Sequence, residues 1–257
     1  MLLAIDVGNT DTKLGTFANR TGRVEHAWRV TTELRRTADE YGVFFTQLFG
    51  TSGLDVRAID AVVVASVVPK LDPVLAAACL RFFDTAPIFL QPHHQRLMEV
   101  RTDRPAEVGA DLIAAALGGR ARYGAPLIVV SYGTATVFTA ISSDGAYLGA
   151  AIAPGINVSI DALIGRTAKL PQIALEAPGR AIGRTTNEAL QAGIVYGFVG
   201  QTEALVARMR EELGAHTRVV ATGGLAEVVA RHSSLFDAVD AELSLAGLQL
   251  YYAAERP

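Results

Sequence analysis

The segment Asp6-Val7-Gly8-Asn9-Thr10 combines a carboxylate with a turn that is rich in hydrogen-bond donors. The apolar residues before Asp6 predict a buried strand, so the acid stands at a strand end beside the N–H and hydroxyl groups of the turn. A metal-bound polyphosphate needs these groups, because the acid can hold or position Mg²⁺ while the turn binds phosphate oxygens. An ordinary hairpin turn explains the same residues, since Asn and Gly are common in turns.

A similar loop begins 125 residues later in the chain. Residues 127–131 predict a second buried strand, which ends in a loop containing Gly133 and Thr134. Ser131 occupies the position equivalent to Asp6, so only the first loop carries an acid. The same order of predicted elements surrounds both loops, which indicates an internal duplication. Two similar halves that face each other predict a cleft for a small ligand.

The segment "TGGLA" (222–226) follows a predicted strand at 218–221 and opens a predicted helix. Gly223 and Gly224 would let a nucleotide approach the backbone closely, and a helix N-terminus favours negative charge. A plain strand-to-helix turn explains the segment equally well. The sequence contains no G-x-x-x-x-G-K-[ST] motif, which argues against a P-loop kinase.

Two carboxylates, Glu107 and Asp111, are spaced by four residues in "PAEVGAD" (105–111). We expect a helix that starts at Glu107, on which this spacing places both acids on one face. A carboxylate presented to a cleft could accept the proton of an attacking hydroxyl. Without further context, a solvated helix face is the simpler explanation.

Alternating strands and helices in both halves predict an α/β fold. Strands at 1–6, 13–17 and 24–30 predict an antiparallel meander. Thr37 and Thr185 each precede a Glu by three residues, which predicts a capping box at the start of a helix.

The polar stretch 95–106 contains a proline and predicts a boundary or a cleft wall. We therefore expect two domains, residues 1–115 and 116–257. Half of the 257 residues are hydrophobic and the formal net charge is −3, which argues against a nucleic-acid partner. The sequence shows no targeting signal at Met1 and no apolar run of about 20 residues, so we expect a cytoplasmic protein without a membrane partner.

Nine short segments, in order and over nearly the whole chain, resemble type III pantothenate kinase. They are "DVGNTDT" (6–12), "SVVP" (66–69), "PAEVGAD" (105–111), "YGTAT" (132–136), "AIAPGI" (151–156), "TAKLP" (167–171), "IGRTT" (182–186), "TGGLA" (222–226) and "LSLAGLQLYY" (243–252). The resemblance implies two ribonuclease-H-like domains of the actin and sugar-kinase superfamily, with ATP in the cleft between them. It also implies a homodimer whose interface completes the acceptor site.

The reaction implied by this resemblance moves the γ-phosphoryl group of ATP to the primary hydroxyl of pantothenate, the first step of coenzyme A biosynthesis. Mg²⁺ and a monovalent cation, K⁺ or NH₄⁺, are the implied cofactors. The residues implied on the nucleotide side form two phosphate loops and an adenosine turn. They are Asp6, Gly8, Asn9 and Thr10 for the first loop, Gly133 and Thr134 for the second, and Gly223 and Gly224 for the turn.

On the acceptor side, Asp111 matches the general base of the family, and Gly109 belongs to the same substrate loop. Thr186 matches a threonine that contacts pantothenate across the dimer interface. Thr102 stands at an acceptor position where the family has tyrosine. Asp6 and Ser131 occupy the two metal positions.

The sequence departs from the family pattern around the acceptor and the metal. Ser131 replaces an aspartate, Leu112 an arginine, Thr102 a tyrosine and Ala150 a glycine. An arginine held against a substrate carboxylate contributes about 1.5–3 kcal/mol, which leucine cannot supply. Three hypotheses follow: a kinase acting on pantothenate, a kinase with a changed acceptor, and a paralogue without kinase activity that serves a binding or regulatory role.

Overall fold

The computed structural model describes residues 1–18, 22–167 and 170–255 of the chain. The chain divides into two compact units. Unit 1 combines Met1–Arg122 with Glu242–Pro257, and unit 2 is Tyr123–Ala241. Each unit contains one five-stranded sheet.

The strands follow the predicted pattern of short apolar and β-branched runs ended by Gly-, Asn- or Pro-containing turns. They are β1 (Leu2–Val7), β2 (Asp11–Phe17), β3 (His26–Thr31), β4 (Ala61–Ser66), β5 (Ile88–Phe89), β6 (Leu127–Tyr132), β7 (Ala135–Ile141), β8 (Tyr147–Pro154), β9 (Arg218–Thr222) and β10 (Ala238–Val239). The meander predicted at the N-terminus is confirmed, because β1, β2 and β3 pair antiparallel in sequence order.

Seven α-helices lie in the described part of the chain. They are α1 (Ala38–Thr51), α2 (Asp72–Phe83), α3 (Ala110–Tyr123), α4 (Ile156–Gly165), α5 (Thr186–Leu213), α6 (Ala226–Ala230) and α7 (Leu243–Ala254). The capping box at Thr37 is confirmed, since its side chain accepts from the N–H of Glu40 and the Glu40 carboxylate accepts in return. At α5 only half of the box forms, because the Glu188 carboxylate accepts from the N–H of Arg184 instead of Thr185.

The two sheets have the same topology. The strand order is β3-β2-β1-β4-β5 in unit 1 and β10-β9-β6-β7-β8 in unit 2, which are identical when β6 is placed on β1. Asp6 and Ser131 are each the fifth residue of a six-residue strand. The topology therefore supports the internal duplication that the sequence predicts.

Each sheet packs a large apolar core against one of its faces. In unit 1, Leu3, Ile5 and Val7 of β1 belong to a core that contains α1 and α2. Side chains alternate across a strand, so Asp6 points to the opposite face, where α7 packs on β1. In unit 2, Tyr132 belongs to the core shared with α4, α5 and α6, and Ser131 therefore points away from it.

The observed division of the chain differs from the predicted boundary between residues 115 and 116. That position lies inside α3, a continuous helix whose buried positions keep it with unit 1 as far as Arg122. The C-terminal helix α7 also belongs to unit 1, because it packs on the strands β1, β2 and β4. The polar stretch 95–106 lies within unit 1.

Candidate functional site

Asp6 is a buried carboxylate on the α7 side of the unit 1 sheet, with 7 % of its surface exposed. The hydroxyl of Ser244, on α7, donates a hydrogen bond of 2.6 Å to Asp6 Oδ2. Lys13 Nζ lies 4.0 Å from the same oxygen, because Lys13 is the cross-strand partner of Asp6 between β1 and β2. The carboxylate is thus held by one neutral donor and one nearby cation.

Asp111 lies in the first turn of α3, and its carboxyl group interacts electrostatically with Asp6 and Lys13. The pKa of Asp111 is raised to about 6, chiefly by burial and next by the negative charge of Asp6. The N–H of Leu112, which donates to Asp111 Oδ1 at 2.9 Å, and the charge of Lys13 oppose this rise in pKa. Unit 1 therefore brings together the two acids that the sequence analysis singled out as catalytic.

The prediction that Glu107 and Asp111 lie on one face of the same helix is wrong. The helix α3 begins only at Ala110, and Glu107 ends a separate 3₁₀ turn that starts at Pro105. Glu107 is exposed, and its carboxylate pairs with Arg104 at 2.9 Å. The proline sets this early turn, and the extended Val108 separates it from the helix.

Gly109 leaves room for the Asp111 carboxylate. A methyl group at residue 109 would lie 2.4 Å from Asp111 Oδ1 and 3.5 Å from Val67 Cγ1. Since real Cβ atoms do not approach other heavy atoms to 2.4 Å, any larger residue would displace the carboxylate. Gly109 thus acts at this site by the absence of a side chain.

The first predicted phosphate loop is fixed by backbone bonds at its base. The N–H of Gly8 donates to the carbonyl of Asp11 at 3.0 Å, and the Thr32 hydroxyl donates to the carbonyl of Gly8 at 2.7 Å. The N–H of Thr32 also donates to the carbonyl of Thr10 at 2.8 Å. Asn9 and Thr10 are exposed at the tip. The loop therefore presents its polar tip on a rigid base.

The second predicted phosphate loop, in unit 2, has a similar base. The N–H of Gly133 donates to the carbonyl of Ala135, two residues later, at 3.0 Å. In the first loop, the N–H of Gly8 donates in the same way to the carbonyl of Asp11, three residues later. The N–H of Gly155 donates to the carbonyl of Thr134 at 3.0 Å, and a Cβ at Gly155 would lie only 2.3 Å from that oxygen. Gly133 and Thr134 are exposed.

The predicted adenosine turn adjoins the same strand end. Gly223 has φ of +95°, and a Cβ there would lie 2.4 Å from the carbonyl oxygen of Tyr132. Only glycine meets both conditions, so Gly223 lets the turn pass directly over the end of β6. Gly224 is exposed beside it. Unit 2 thus brings the second loop and the adenosine turn to one edge of its sheet.

Ser131 has a neutral environment. It pairs with Val137 on β7 and with Thr222 on β9, in parallel register with the latter. The hydroxyl oxygen of Thr222 is buried, and it has no hydrogen-bond partner among the residues that the structure describes. Within the same described residues, no three His, Cys, Asp or Glu side chains cluster in the way that a metal site made of protein ligands alone would require.

The remaining residues of the predicted acceptor site differ in how exposed they are. Thr102 is half-buried, and its hydroxyl oxygen is buried without a hydrogen-bond partner in the described part of the chain. Leu112 is half-buried next to Asp111, whereas Ala150 is exposed on β8. Thr186 is exposed as the first residue of α5. Two residues of the "TAKLP" segment, at 168–169, lie outside the described residues.

A model of the family described as type III pantothenate kinase matches residues 2–208 of the chain. The chain is 48 % identical over 252 residues to the type III pantothenate kinase of Myxococcus xanthus, with 98 % of each chain covered. It is 47 % identical over 252 residues to the enzyme of the same name from Moorella thermoacetica, again with 98 % of each covered. The chain belongs to the type III pantothenate kinase family. Membership makes it an ATP-dependent kinase, and no finding favours a paralogue without activity.

Solved structures support the fold of this type III pantothenate kinase family member. The activator of 2-hydroxyisocaproyl-CoA dehydratase from Clostridium difficile, solved with bound ADPNP, matches with a TM-score of 0.54 and 13 % identity, covering 99 % of this chain and 94 % of that one. An inorganic polyphosphate/ATP-glucomannokinase from Arthrobacter matches with a TM-score of 0.50 and 14 % identity, with 99 % of each chain covered. The predicted α/β fold, with two halves that each hold a five-stranded sheet of the same strand order in the described residues, is confirmed.

Sequence reasoning missed two residues that contact the acid of this family member. Lys13 could have been found, since a hairpin that pairs β1 with β2 places it opposite Asp6. Ser244 carried no such signal, because it stands 238 residues from Asp6. In the described residues, no helix is both long enough and apolar enough to cross a bilayer.

Proposed function

We propose that the chain transfers the γ-phosphoryl group of ATP to the primary hydroxyl of pantothenate, the first step of coenzyme A biosynthesis. The observation that carries this proposal is the pair of acids in unit 1. Asp6 lies close enough to Asp111 for its charge to raise the pKa of that carboxyl, which stands at about 6. Family membership supplies the acceptor and the phosphoryl donor.

Asp111 is the proposed general base. With a pKa of about 6 it is mostly ionised at neutral pH, and it remains basic enough to accept a proton from an alcohol as the alcohol attacks. The hydrogen bond from the Leu112 N–H and the space left by Gly109 fix the position of the carboxylate. The base is therefore oriented before the acceptor binds.

The two loops are the proposed phosphate-binding groups. Exposed backbone N–H groups and the hydroxyls of Thr10 and Thr134 suit phosphate oxygens. Gly223, whose missing side chain lets the turn pass over the end of β6, and the exposed Gly224 are the proposed adenosine-binding residues. These roles rest on the resemblance together with the exposure of the loops.

Asp6 is the proposed ligand for Mg²⁺. One carboxylate plus substrate phosphates is a usual coordination for this ion, so a site without a three-carboxylate cluster fits it. When bound, Mg²⁺ supplies charge neutralisation for the transferring phosphoryl group. Ser131 offers only a neutral hydroxyl oxygen, so the negative charge that the protein offers to Mg²⁺ comes from Asp6. A monovalent cation, K⁺ or NH₄⁺, is proposed from the resemblance alone; its test is activity in K⁺ or NH₄⁺ against Na⁺.

A homodimer is proposed from exposed apolar side chains in unit 2. Ile182 is 83 % exposed and Ile152 is 71 % exposed, and Val158 and Leu163 of α4 are also exposed. An interface that covers these side chains would remove their apolar surface from water. Thr186, exposed close to Ile182, would then contact the acceptor bound by a second copy. Light scattering after size-exclusion chromatography should give twice the mass of the chain, and Ile152→Glu with Ile182→Glu should give a monomer.

The acceptor proposal is tested with purified protein, ATP, Mg²⁺, K⁺ and pantothenate. Mass spectrometry should detect phosphopantothenate, and a coupled assay should detect ADP in equal amount. Asp6→Asn and Asp111→Asn should each strongly reduce both signals. ADP release without phosphopantothenate, or a rate unchanged by both substitutions, would contradict the proposal. The cytoplasmic location expected from the sequence also stays a proposal, to be tested by cell fractionation.

A further inference from the structure

The C-terminal helix α7 reaches the catalytic acid through one side chain. Ser244, the second residue of α7, is 4 % exposed, and its hydroxyl donates to Asp6 Oδ2 at 2.6 Å. This distance lies in the range of a hydrogen bond from a hydroxyl to an ionised carboxylate.

The position of α7 is fixed against the sheet by small residues. Leu245 packs on Gly15 of β2, where a Cβ would lie 2.8 Å from a Leu245 methyl carbon. This contact lies on the same face of the sheet as Asp6, because β2 places Gly15 two residues from Lys13. A larger residue at 15 would push α7, and with it Ser244, away from the acid.

The same helix is also fixed against α3, which carries Asp111. A Cβ at Gly118 of α3 would lie 2.1 Å from the carbonyl oxygen of Leu243, and a Cβ at Gly247 would lie 1.8 Å from the carbonyl oxygen of Ala114. The two helix backbones are therefore in direct contact on both sides of Ser244. One helix thus positions a group on Asp6 and packs against the helix of the second acid.

A serine hydroxyl suits this position because it donates one hydrogen bond without neutralising the carboxylate. The cation nearest to the same oxygen, Lys13, lies 4.0 Å away, which is too long for a direct hydrogen bond. The hydroxyl therefore fixes the orientation of the Asp6 carboxylate.

We propose that Ser244 is a positioning residue for the kinase reaction, which holds the Asp6 carboxylate in one orientation through the hydrogen bond to Oδ2. The inference rests on the proposed role of Asp6 as the acid that positions Mg²⁺ and phosphate. Ser244 acts through Asp6.

The experiment compares Ser244→Ala, Ser244→Thr and Tyr251→Phe with the unmodified enzyme. Tyr251→Phe is the matched control, because it also removes one hydroxyl from α7, one that donates at 3.4 Å to the carbonyl of Phe89. We expect Ser244→Ala to lower kcat/KM for MgATP about 10-fold or more, since a hydrogen bond to a charged group is lost. Ser244→Thr, which keeps the hydroxyl, should stay within about threefold, as should Tyr251→Phe.

Two readouts besides activity separate positioning from general stability. In crystals of the unliganded protein, Ser244→Ala should leave the fold unchanged and the Asp6 carboxylate in more than one orientation, whereas Tyr251→Phe should leave it in one. Ser244→Ala should also raise the Kd for a non-hydrolysable ATP analogue with Mg²⁺, measured by isothermal titration calorimetry, and Tyr251→Phe should not. If Ser244→Ala does not fold, Ser244→Cys, which keeps the size with a weaker donor, should give an intermediate Kd and rate.

Two outcomes distinguish this inference from the proposed function. If Asp6→Asn is inactive while folded Ser244→Ala keeps the single Asp6 orientation, the Kd and the unmodified rate, Ser244 has no positioning role and this inference alone is overturned. If Asp6→Asn itself keeps full activity, the proposed role of Asp6 is wrong, and the inference is overturned with it.

Discussion

The β1–β2 hairpin of unit 1 and the β6–β7 hairpin of unit 2 share their backbone but not their charge. Asp6 has a cation, Lys13, as its cross-strand partner, whereas Ser131 at the equivalent position faces Val137. Both loops close with an N–H bond from their glycine. The duplication therefore preserved the hydrogen-bonded backbone of the two hairpins. The chemistry depends on a few side chains, which can differ between the hairpins without a change in that backbone.

The largest effect should come from removing the general base of unit 1. Asp111→Asn should lower kcat by about 10²–10⁴-fold, the usual contribution of a positioned base. Glu107→Gln is the matched control, since Glu107 is exposed and paired with Arg104. Steady-state kinetics at pH 7.5 measure both, and we expect Glu107→Gln to stay within about twofold. Full activity of Asp111→Asn would show that unit 1 does not supply the general base, which would contradict the contrast drawn between the two units.

The same substitution should stabilise the fold at high pH. The folded-state pKa of Asp111, about 6, lies above its ordinary value of 3.8, so the folded chain binds more protons and loses stability as the pH rises through this window. Asp111→Asn removes this loss and should raise the free energy of unfolding at pH 8 by about 1–3 kcal/mol. Urea unfolding at pH 8 and at pH 4 tests it: a gain of the same size at both pH values would contradict the shifted pKa.

A smaller effect is expected from a substitution that tests the packing of α7 on α3 in unit 1. Gly247→Ala should destabilise the protein by about 3 kcal/mol, because the new methyl group would lie 1.8 Å from the backbone oxygen of Ala114. Gly50→Ala in α1 meets open space and should instead stabilise by about 0.5–1 kcal/mol. Urea unfolding measures both, and equal stability of the two variants would show that α7 does not pack on α3 as described.

The two phosphate loops should differ in their tolerance of a side chain. A Cβ at Gly8 would lie 2.9 Å from the carbonyl oxygen of Asp11, whereas the nearest atom to a Cβ at Gly133 is 3.7 Å away. We expect Gly8→Ala to cost about 1–3 kcal/mol of stability and Gly133→Ala less than about 1 kcal/mol. Differential scanning calorimetry would sharpen the comparison, and a larger cost at Gly133 would reverse it.

The smallest effect concerns the missing charge of unit 2. Ser131→Asp would place a carboxylate beside Thr222, whose buried hydroxyl has no partner among the described residues and could donate to it. We expect the Mg²⁺ concentration for half-maximal activity to fall by about threefold or more, with Ser131→Asn as the uncharged control. An increase in the Mg²⁺ requirement for Ser131→Asp alone would show that the position lies outside the metal site.

Much of the frame could be predicted from the sequence, because it depends on local patterns. The β-branched run at β4 and the capping box at Thr37 act over a few residues, and both elements formed as predicted. The equivalence of Asp6 and Ser131 was also visible, since it needed only the repeated order of elements. Local chemistry and the order of strands thus fixed the two sheets.

The errors arose where distant parts of the chain meet. The observed division differs from the predicted boundary at 115, because that position lies inside α3 and because the sequence does not reveal that α7 returns to the first sheet. Ser244 was missed for the same reason, since its role depends on a tertiary contact with Asp6. Glu107 was placed on a helix because spacing alone cannot show that Pro105 sets a separate turn.

The central claim is that Asp6 and Asp111 form one charge-coupled pair in unit 1, without help from the neutral position in unit 2. The most direct test is the titration of Asp111, followed by ¹³C carboxyl resonances in the unmodified protein, in Asp6→Asn and in Ser131→Ala. We predict a midpoint of about 6 in the unmodified protein, a lower midpoint in Asp6→Asn and no change in Ser131→Ala. A midpoint at the ordinary value for aspartate in the unmodified protein, or one that Asp6→Asn leaves in place, would contradict the account.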